Sequence, residues 1–190
     1  MNALRSVTTL FLLAVACGPI GTHPTWEKAC GGSVTVTVSA ITLGDDCGGG
    51  SAALRAPEAG DCAEGGCSFL CRQSSVQLDI VSTAHTASTF EVRQVRLYDP
   101  DNGALVDILT PSDPKHWVNN QYQSWNQSIG AGSTVKASYK LSAPNWNGVQ
   151  DASGRFGYTK GYKTQVDVAV DGELRTLSGP DAYREPEVAT

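Results

Sequence analysis

The chain has 190 residues, and its 14 lysines and arginines against 19 aspartates and glutamates give a formal net charge of −5 at pH 7. This length allows one domain with a sizeable hydrophobic core. The acidic balance, without a basic stripe along the sequence, argues against a nucleic-acid partner. The sequence also holds no apolar run of the length that spans a membrane.

The chain begins with a predicted export signal. One cation, Arg5, precedes an apolar run from Leu10 to Ala16. This run is far shorter than the ~20 residues of a membrane-spanning helix, and small residues follow it. Residues 1–16 are therefore predicted to be a signal peptide.

The first cysteine follows this signal directly. The stretch LAVAC, which ends at Cys17, resembles the lipobox of bacterial lipoproteins, although Ala14 stands where leucine is commonest. Gly18 after the cysteine resembles the outer-membrane sorting pattern of Gram-negative lipoproteins. The resemblance implies a lipidated Cys17, a tether over residues 17–31 and an anchor in the outer membrane, since two or three acyl chains hold a protein essentially permanently. Ordinary cleavage after Ala16 would instead release a soluble secreted protein.

Alternation of apolar and polar side chains at period two predicts half-buried antiparallel strands along the mature chain. Two shifts of phase, near Ala40 and between Val92 and Val95, predict β-bulges. The side chains expected to face inward are Val34, Val36, Val38, Ile41 and Leu43; Val76, Leu78 and Ile80; Phe90, Val92, Val95 and Leu97; Val135, Ala137, Tyr139 and Leu141; and Val166, Val168 and Val170.

Turn residues connect these strands. Residues 99–103 (DPDNG) predict one hairpin, in which Asn-Gly is the pair preferred where both turn residues have positive φ, and Asp171-Gly172 predicts a second. About seven short strands favour an all-β antiparallel sandwich over a β-barrel. Residues 75–177 resemble immunoglobulin-like or fibronectin-type sandwiches in general. The expected domain covers residues 32–177, and the polar residues 178–190 are expected to form a flexible tail.

Four cysteines lie in a Gly- and Ala-rich segment, residues 44–74, which is expected to be a stapled insertion. Cys30 cannot bond Cys47, because a predicted strand over residues 33–43 separates them. If the strands around residues 38 and 78 pair antiparallel, Cys47 and Cys71 meet at one edge. We therefore expect two disulfides and leave Cys30 unpaired; the expected pairs are Cys47–Cys71 and Cys62–Cys67.

The alternative for this cluster is a metal site in a periplasmic protein. Cys62, Cys67 and Cys71 are spaced C-x4-C-x3-C, and Cys47 or a histidine could complete four ligands. The lack of a C-x2-C pair and the oxidising compartment favour disulfides, so that we expect no metal and no cofactor.

Two further groups of residues are candidates for chemistry. Asp99, Asp101 and Asp107 could gather around calcium, but their spacing does not match an EF-hand loop, and a hairpin turn accounts for them better. The three histidines, His23, His85 and His116, lie in no recognisable catalytic motif. The sequence therefore predicts no catalytic residue; a hydrolase with an unrecognised site, involving His85 or His116, is the alternative.

An aromatic segment at residues 116–162 is the most suggestive stretch. Trp117, Tyr122, Trp125 and Trp146 are interleaved with eight asparagines and glutamines between residues 119 and 147. Aromatic faces can stack on sugar rings while amides hydrogen-bond hydroxyls, although the rings could equally fill the core. Burial of all these amides would leave some unsatisfied at ~1–3 kcal/mol each, so we expect a surface edge with one or two rings anchored inward and at least one exposed.

These observations predict a non-enzymatic, membrane-anchored binding or structural module of the cell envelope. The expected partners are the membrane, through the lipid anchor, and a cell-wall glycan or another envelope protein. Exposed rings among the four aromatic residues would favour a binding module, whereas buried rings would favour a purely structural one.

Overall fold

The computed structural model describes residues 25–28, 31–44, 69–70, 73–146, 160–185 and 188–189. All six cysteines, the signal peptide, His23 and most of the 44–74 segment lie outside these ranges. The expectations for lipidation, disulfides and a cysteine metal site therefore fall on residues outside the described part of the chain.

Fourteen strands lie within the described residues: β1 (Thr25–Glu27), β2 (Ser33–Thr42), β3 (Phe69–Leu70), β4 (Ser75–Ser82), β5 (Ser88–Tyr98), β6 (Leu105–Leu109), β7 (Pro111–Val118), β8 (Gln121–Ser124), β9 (Ser128–Ile129), β10 (Thr134–Leu141), β11 (Gly161–Val170), β12 (Glu173–Ser178), β13 (Ala182–Tyr183) and β14 (Val188–Ala189). The described part of the chain contains no helix that is long and apolar enough to cross a bilayer.

The strands form a β-sandwich of two six-stranded antiparallel sheets. The first sheet has the order β1-β2-β4-β10-β7-β8. The second has the order β12-β11-β5-β6, with β13 also paired to β11 and β9 to β5, and β3 pairs with β14 separately. The strand number exceeds the expected seven or so because short strands such as β1, β9 and β13 carry too few residues to show an alternating pattern.

The inward faces of both sheets share one hydrophobic core, as the period-two pattern predicts. Every side chain expected to face inward is buried except Val135, which is half-buried. Both predicted bulges are present. The β2–β4 register shifts between Val38 and Ala40, and the β11–β5 register shifts where Asp167 pairs with Gln94 and Val168 with Val92.

Both predicted hairpins form, but their turns differ. Asp171 and Gly172 have φ of 49° and 81° between β11 and β12, the positive pair that a tight two-residue turn needs. In the β5–β6 turn only Gly103 has positive φ, at 70°, and Asn102 does not. The expectation of two positive-φ residues at Asn102-Gly103 is wrong because this longer turn needs a left-handed residue at its end alone.

The predicted tether over residues 17–31 is wrong for its described end, since β1 is part of the first sheet. Trp26 is 1% exposed, and its Nε1 donates a hydrogen bond of 3.1 Å to the carbonyl of Glu173 in the second sheet. The Arg175 guanidinium lies 4.9 Å above the Trp26 ring and donates to the carbonyl of Thr25. These contacts join the β1 and β12 edges of the two sheets.

The flexible tail predicted for residues 178–190 is wrong in its described part. Ala182 pairs with Tyr162 in β11 and is buried, and the amide of Glu185 donates to the carbonyl of Leu43 over 2.8 Å. The Arg184 guanidinium lies 4.7 Å above the ring of Trp146. Backbone pairing holds this segment, which its polar composition does not reveal.

Candidate ligand-binding face

The β7–β8 hairpin presents two aromatic rings to solvent. Its turn uses Asn119 and Asn120, with φ of 50° and 63°, because asparagine tolerates the left-handed region. Trp117 pairs with Tyr122 across the hairpin, and their ring centroids lie 4.9 Å apart at 72°. Trp117 is 44% exposed and Tyr122 is 38% exposed. The hairpin therefore fixes a pair of rings at a steep angle on the sheet surface.

The other two candidate rings point elsewhere, in agreement with the expectation that one or two of the four rings are anchored inward, so that Trp117 and Tyr122 alone are exposed among the four. Trp125 is 6% exposed and stacks on Phe90 with centroids 5.8 Å apart. Trp146 is half-buried, packs 6.2 Å from the Tyr162 ring and donates its Nε1 hydrogen to the carbonyl of Gly44. Both rings are anchors, because a ring that completes the core leaves little surface for a ligand.

The amides of the aromatic segment behave as predicted for a surface edge. Gln127, at φ 62°, accepts a 3.1 Å hydrogen bond from the Tyr139 hydroxyl through Oε1. Burial raises the pKa of Tyr139, so this hydroxyl is a neutral donor. Asn126 caps the turn by accepting from the amide of Ser128, while Asn119 and Asn120 are exposed.

A row of outward side chains crosses the first sheet to the exposed rings. Asp79 in β4 pairs with Thr37 in β2 and with Lys136 in β10. Lys136 lies one position from the Ala137–His116 pair, which places it beside Trp117. The five strands β2, β4, β10, β7 and β8 thus each contribute to one continuous surface.

This surface forms a depression that we name the outer groove. Its polar and aromatic lining comprises Ser39, Gln77, Asp79, Trp117, Tyr122 and Lys136, and its volume is about 430 Å³. Ser39 is the residue between the shifted positions Val38 and Ala40, so the β2 bulge supplies one wall, as bulges often do at sites. The bulge is visible in the sequence, but its place in the same groove as the aromatic hairpin is not.

The two charges of the outer groove are available for a ligand. Asp79 and Lys136 are register partners, yet within the described residues neither side chain forms an ion pair or a hydrogen bond. A carboxylate accepts hydrogen bonds, an ammonium donates them and the Gln77 amide does both. The sequence analysis did not identify Asp79, Lys136 and Gln77 as candidate site residues. Each alternates with buried or half-buried apolar residues along its strand, and this alternation is the signal that could have identified them as outward-facing.

The three carboxylates considered as calcium ligands form ion pairs or hydrogen bonds within the protein. Lys160 Nζ lies 2.8 Å from carboxylate oxygens of both Asp99 and Asp101, and hydrogen bonds from Lys160 hold the pKa of Asp99 below its usual value. The Asp107 carboxylate accepts from the amides of Ile108 and Asn145. No group of three or more histidine, cysteine or acidic side chains that could hold a metal lies among the described residues.

The two described histidines make packing contacts in separate places. The His116 ring lies 6.1 Å from the Trp125 ring and nearly parallel to it. His85 lies against Gly31, where an added Cβ would be 3.8 Å from its ring.

A second polar cluster lies on the outward side of the other sheet, around Asp167. This carboxylate is 6% exposed and accepts hydrogen bonds from Gln94 at 2.7 Å, Arg96 at 2.5 Å and Thr176 at 2.6 Å. Burial acts to raise the pKa of Asp167, but these three hydrogen bonds outweigh it and lower the pKa. Its acceptors are satisfied by the fold, so this cluster stabilises the sheet.

No known protein family and no curated protein matches this sequence. The structure is similar to the crystal structure of an uncharacterized β-sandwich protein from Clostridium difficile 630, with 11% sequence identity over 84% of this chain and 91% of that chain and a TM-score of 0.39.

Proposed function

We propose that this protein is a non-enzymatic binding module of the cell envelope that binds a glycan through the outer groove. The observation that carries the proposal is the exposed Trp117–Tyr122 pair beside polar side chains that have no partner among the described residues. Two adjacent large rings left half-exposed at an edge are typical of a binding surface.

The chemistry of the outer groove suits a carbohydrate. An indole or phenol ring offers its face to the C–H side of a sugar ring. Asp79, Gln77 and Lys136 then supply acceptors, donors or both for the hydroxyls around it. A purely structural module could bury its large rings, as Trp125 is buried, whereas Trp117 and Tyr122 keep part of their surface in solvent at the groove.

The proposal is tested by retention on insoluble glycan. Trp117→Ala should abolish retention of the protein on purified cell-wall sacculi or on insoluble polysaccharide, and its melting temperature should fall only slightly because the ring is half-exposed and lies outside the core. Leu174→Ala is the matched control, since Leu174 is 53% exposed on the other sheet. Equal retention of the two variants would overturn the proposal.

We also propose an immunoglobulin-like topology for the sandwich. The eight longest strands form two four-stranded sheets. The order in one sheet is β2-β4-β10-β7, and the order in the other is β12-β11-β5-β6. An immunoglobulin fold places its A, B, E and D strands in one sheet and its C, F and G strands in the other. The short strands β1, β8, β9 and β13 are additions to that plan.

The proposed location is the outer membrane, through a lipid on Cys17, with secretion as the alternative. If β1 begins the domain at Thr25, the tether covers residues 17–24 and reaches at most roughly 28 Å. Mass spectrometry of the N-terminal peptide from membrane fractions should show an acylated cysteine, and Cys17→Ser should release the protein. A disulfide at Cys17 would contradict the anchor.

The proposed disulfides are Cys47–Cys71 and Cys62–Cys67. Support comes from the antiparallel β2–β4 pair, in which Thr42 lies opposite Ser75, and from the buried Ser74 hydroxyl, which bonds the backbone of Gly44. The two ends of the cysteine-rich segment are therefore adjacent. Peptide mapping without reduction should recover the Cys47–Cys71 linkage, and a Cys47–Cys62 linkage would contradict it.

A further inference from the structure

The outer groove has a direction, and this direction limits the shape of the ligand. Ser39 belongs to β2, Gln77 and Asp79 to β4, Lys136 to β10, and the two rings to β7 and β8. These are five neighbouring strands of the first sheet. The groove therefore runs across the strands, with the Trp117–Tyr122 pair at one end and Ser39 at the other.

The length of the groove follows from the spacing of strands. Five adjacent strands are separated by four intervals of ~4.8 Å, or roughly 19 Å in all. A pyranose in an extended polysaccharide advances the chain by about one such interval. The groove therefore matches a segment of about four sugars rather than one terminal sugar.

The charges of the groove limit the chemistry of the ligand. Asp79 and Lys136 lie opposite each other, so that their fields largely cancel for a ligand that lies over both. The whole chain carries a net charge of −5, which repels a polyanion. A neutral sugar chain can use both groups as hydrogen-bond partners, whereas a polyuronate would place carboxylates beside Asp79.

Resting on the proposed glycan-binding function, we infer that the ligand is an internal segment of a linear, uncharged polysaccharide, about four sugars long, lying across β2, β4, β10, β7 and β8. The aromatic pair stacks on one end of this segment. The middle sugars hydrogen-bond to Lys136, Asp79 and Gln77, and the last sugar lies against Ser39 on the β2 bulge.

The test is calorimetric titration with oligosaccharides of one to six sugars in three neutral series, made of glucose, N-acetylglucosamine or mannose, and in one anionic series of galacturonate. In one neutral series the affinity should rise with each added sugar up to about four and then level off, with the tetramer binding at least about tenfold more tightly than the dimer. Galacturonate oligomers should bind more weakly at every length.

A variant at the end of the groove far from the rings separates the inference from the proposed function. Ser39→Lys should weaken tetramer binding about tenfold and leave dimer binding unchanged, because it obstructs only the end far from the rings. Ser178→Lys, at an exposed position of β12, is the matched control and should change neither. Gln77→Ala, in the middle of the groove, should weaken trimer and tetramer binding if the Ser39 variant fails to fold.

The outcomes are distinct. Full affinity for a single sugar or a dimer, with no effect of Ser39→Lys, would overturn the extended ligand and leave the glycan-binding function standing. Preference for galacturonate would overturn the uncharged ligand. If the protein is retained on sacculi in a Trp117-dependent way but binds no neutral oligosaccharide, this inference alone is overturned. If it shows neither Trp117-dependent retention nor oligosaccharide binding, the proposed function is overturned as well.

Discussion

At the scale of single residues, backbone geometry and buried charge restrict most strongly which amino acid a position can hold. Gly32 has φ of +78°, and a Cβ added there would lie 2.3 Å from the carbonyl oxygen of Thr83. Both the dihedral and the space therefore require glycine at this position. The position of Asp167 is restricted for another reason. Its buried carboxylate is stable only while its three hydrogen-bond donors stay in place.

We expect Gly32→Ala to lower the free energy of unfolding by about 2–4 kcal/mol, since the methyl group meets backbone that cannot move easily. Gly103→Ala is the control. Gly103 also has positive φ, at +70°, but nothing lies within 4 Å of its added Cβ, so that only the cost of the left-handed region, about 1 kcal/mol, should appear. Urea denaturation of both variants checks the difference, and equal losses would contradict a steric cause at Gly32.

Asp167→Asn should destabilise the fold at neutral pH by about 2 kcal/mol, because the charge-assisted hydrogen bonds from Arg96, Gln94 and Thr176 are lost or weakened. The folded-state pKa of Asp167 is lowered, so the ionised carboxylate contributes its stability above the unfolded-state pKa of about 4. That contribution is lost as the pH falls through the lowered value. The difference between native protein and variant should therefore shrink below about pH 4, as measured by denaturation over a pH series.

At the scale of elements, β1 closes the sandwich on one side. Its three residues pair with β2, while Trp26 and Arg175 connect it to β12 of the other sheet. Lys28, just after β1, forms an ion pair with Asp171 in the β11–β12 turn. Because these contacts join strands about 150 positions apart in the chain, β1 depends on the whole fold and contributes to it in return.

Trp26→Ala should lower the free energy of unfolding by about 3–5 kcal/mol, the usual cost of removing a buried aromatic side chain. Trp117→Ala deletes the same side chain from a half-exposed position where it packs on Tyr122, and should lower the free energy of unfolding by less than about 1.5 kcal/mol. Chemical denaturation followed by circular dichroism measures both. Comparable losses in the two variants would show that the β7–β8 hairpin is part of the core and would also weaken the case for a binding face.

At the scale of the whole molecule, the chain after β12 closes one end of the sandwich. The carbonyl of Pro180 accepts from Thr164, β13 extends the second sheet, and Glu185 reaches Leu43 near the first sheet. This segment therefore spans the two sheets at the end where Trp146 and Tyr162 pack. Its stability comes from backbone pairing and from the burial of Ala182 and Tyr162.

A chain that ends at Ser178 should be less stable than the full chain by more than about 2 kcal/mol, because Tyr162 and Leu43 lose the segment that covers them. Asp181→Ala is the control, since it removes only the ion pair with Lys163, whose side chains are 61% and 40% exposed. Such an exposed pair contributes less than about 1 kcal/mol. If the point variant lost as much stability as the truncation in urea denaturation, the ion pair would be the main contact.

The residues by themselves determined the strands and their faces. Valines and leucines at period two mark the inward positions of β2, β4, β5, β10 and β11, and the shifts of phase locate both bulges. These features are local, because a strand that buries one face must alternate and any extra residue breaks the alternation. The same local reasoning predicted a surface edge for the aromatic segment at residues 116–162, since so many amides cannot all be satisfied in a core.

Only the tertiary structure decided which elements meet. Strand pairing joins residues far apart in the chain, and its free energy depends on partners that no local pattern names. Three tryptophans with similar polar sequence neighbours show this. Trp26 joins two sheet edges, Trp117 is half-exposed and Trp125 lies in the core. The outer groove arises in the same way: Ser39, Asp79, Lys136 and Trp117 are unremarkable along the sequence and become neighbours because antiparallel register aligns β2, β4, β10 and β7.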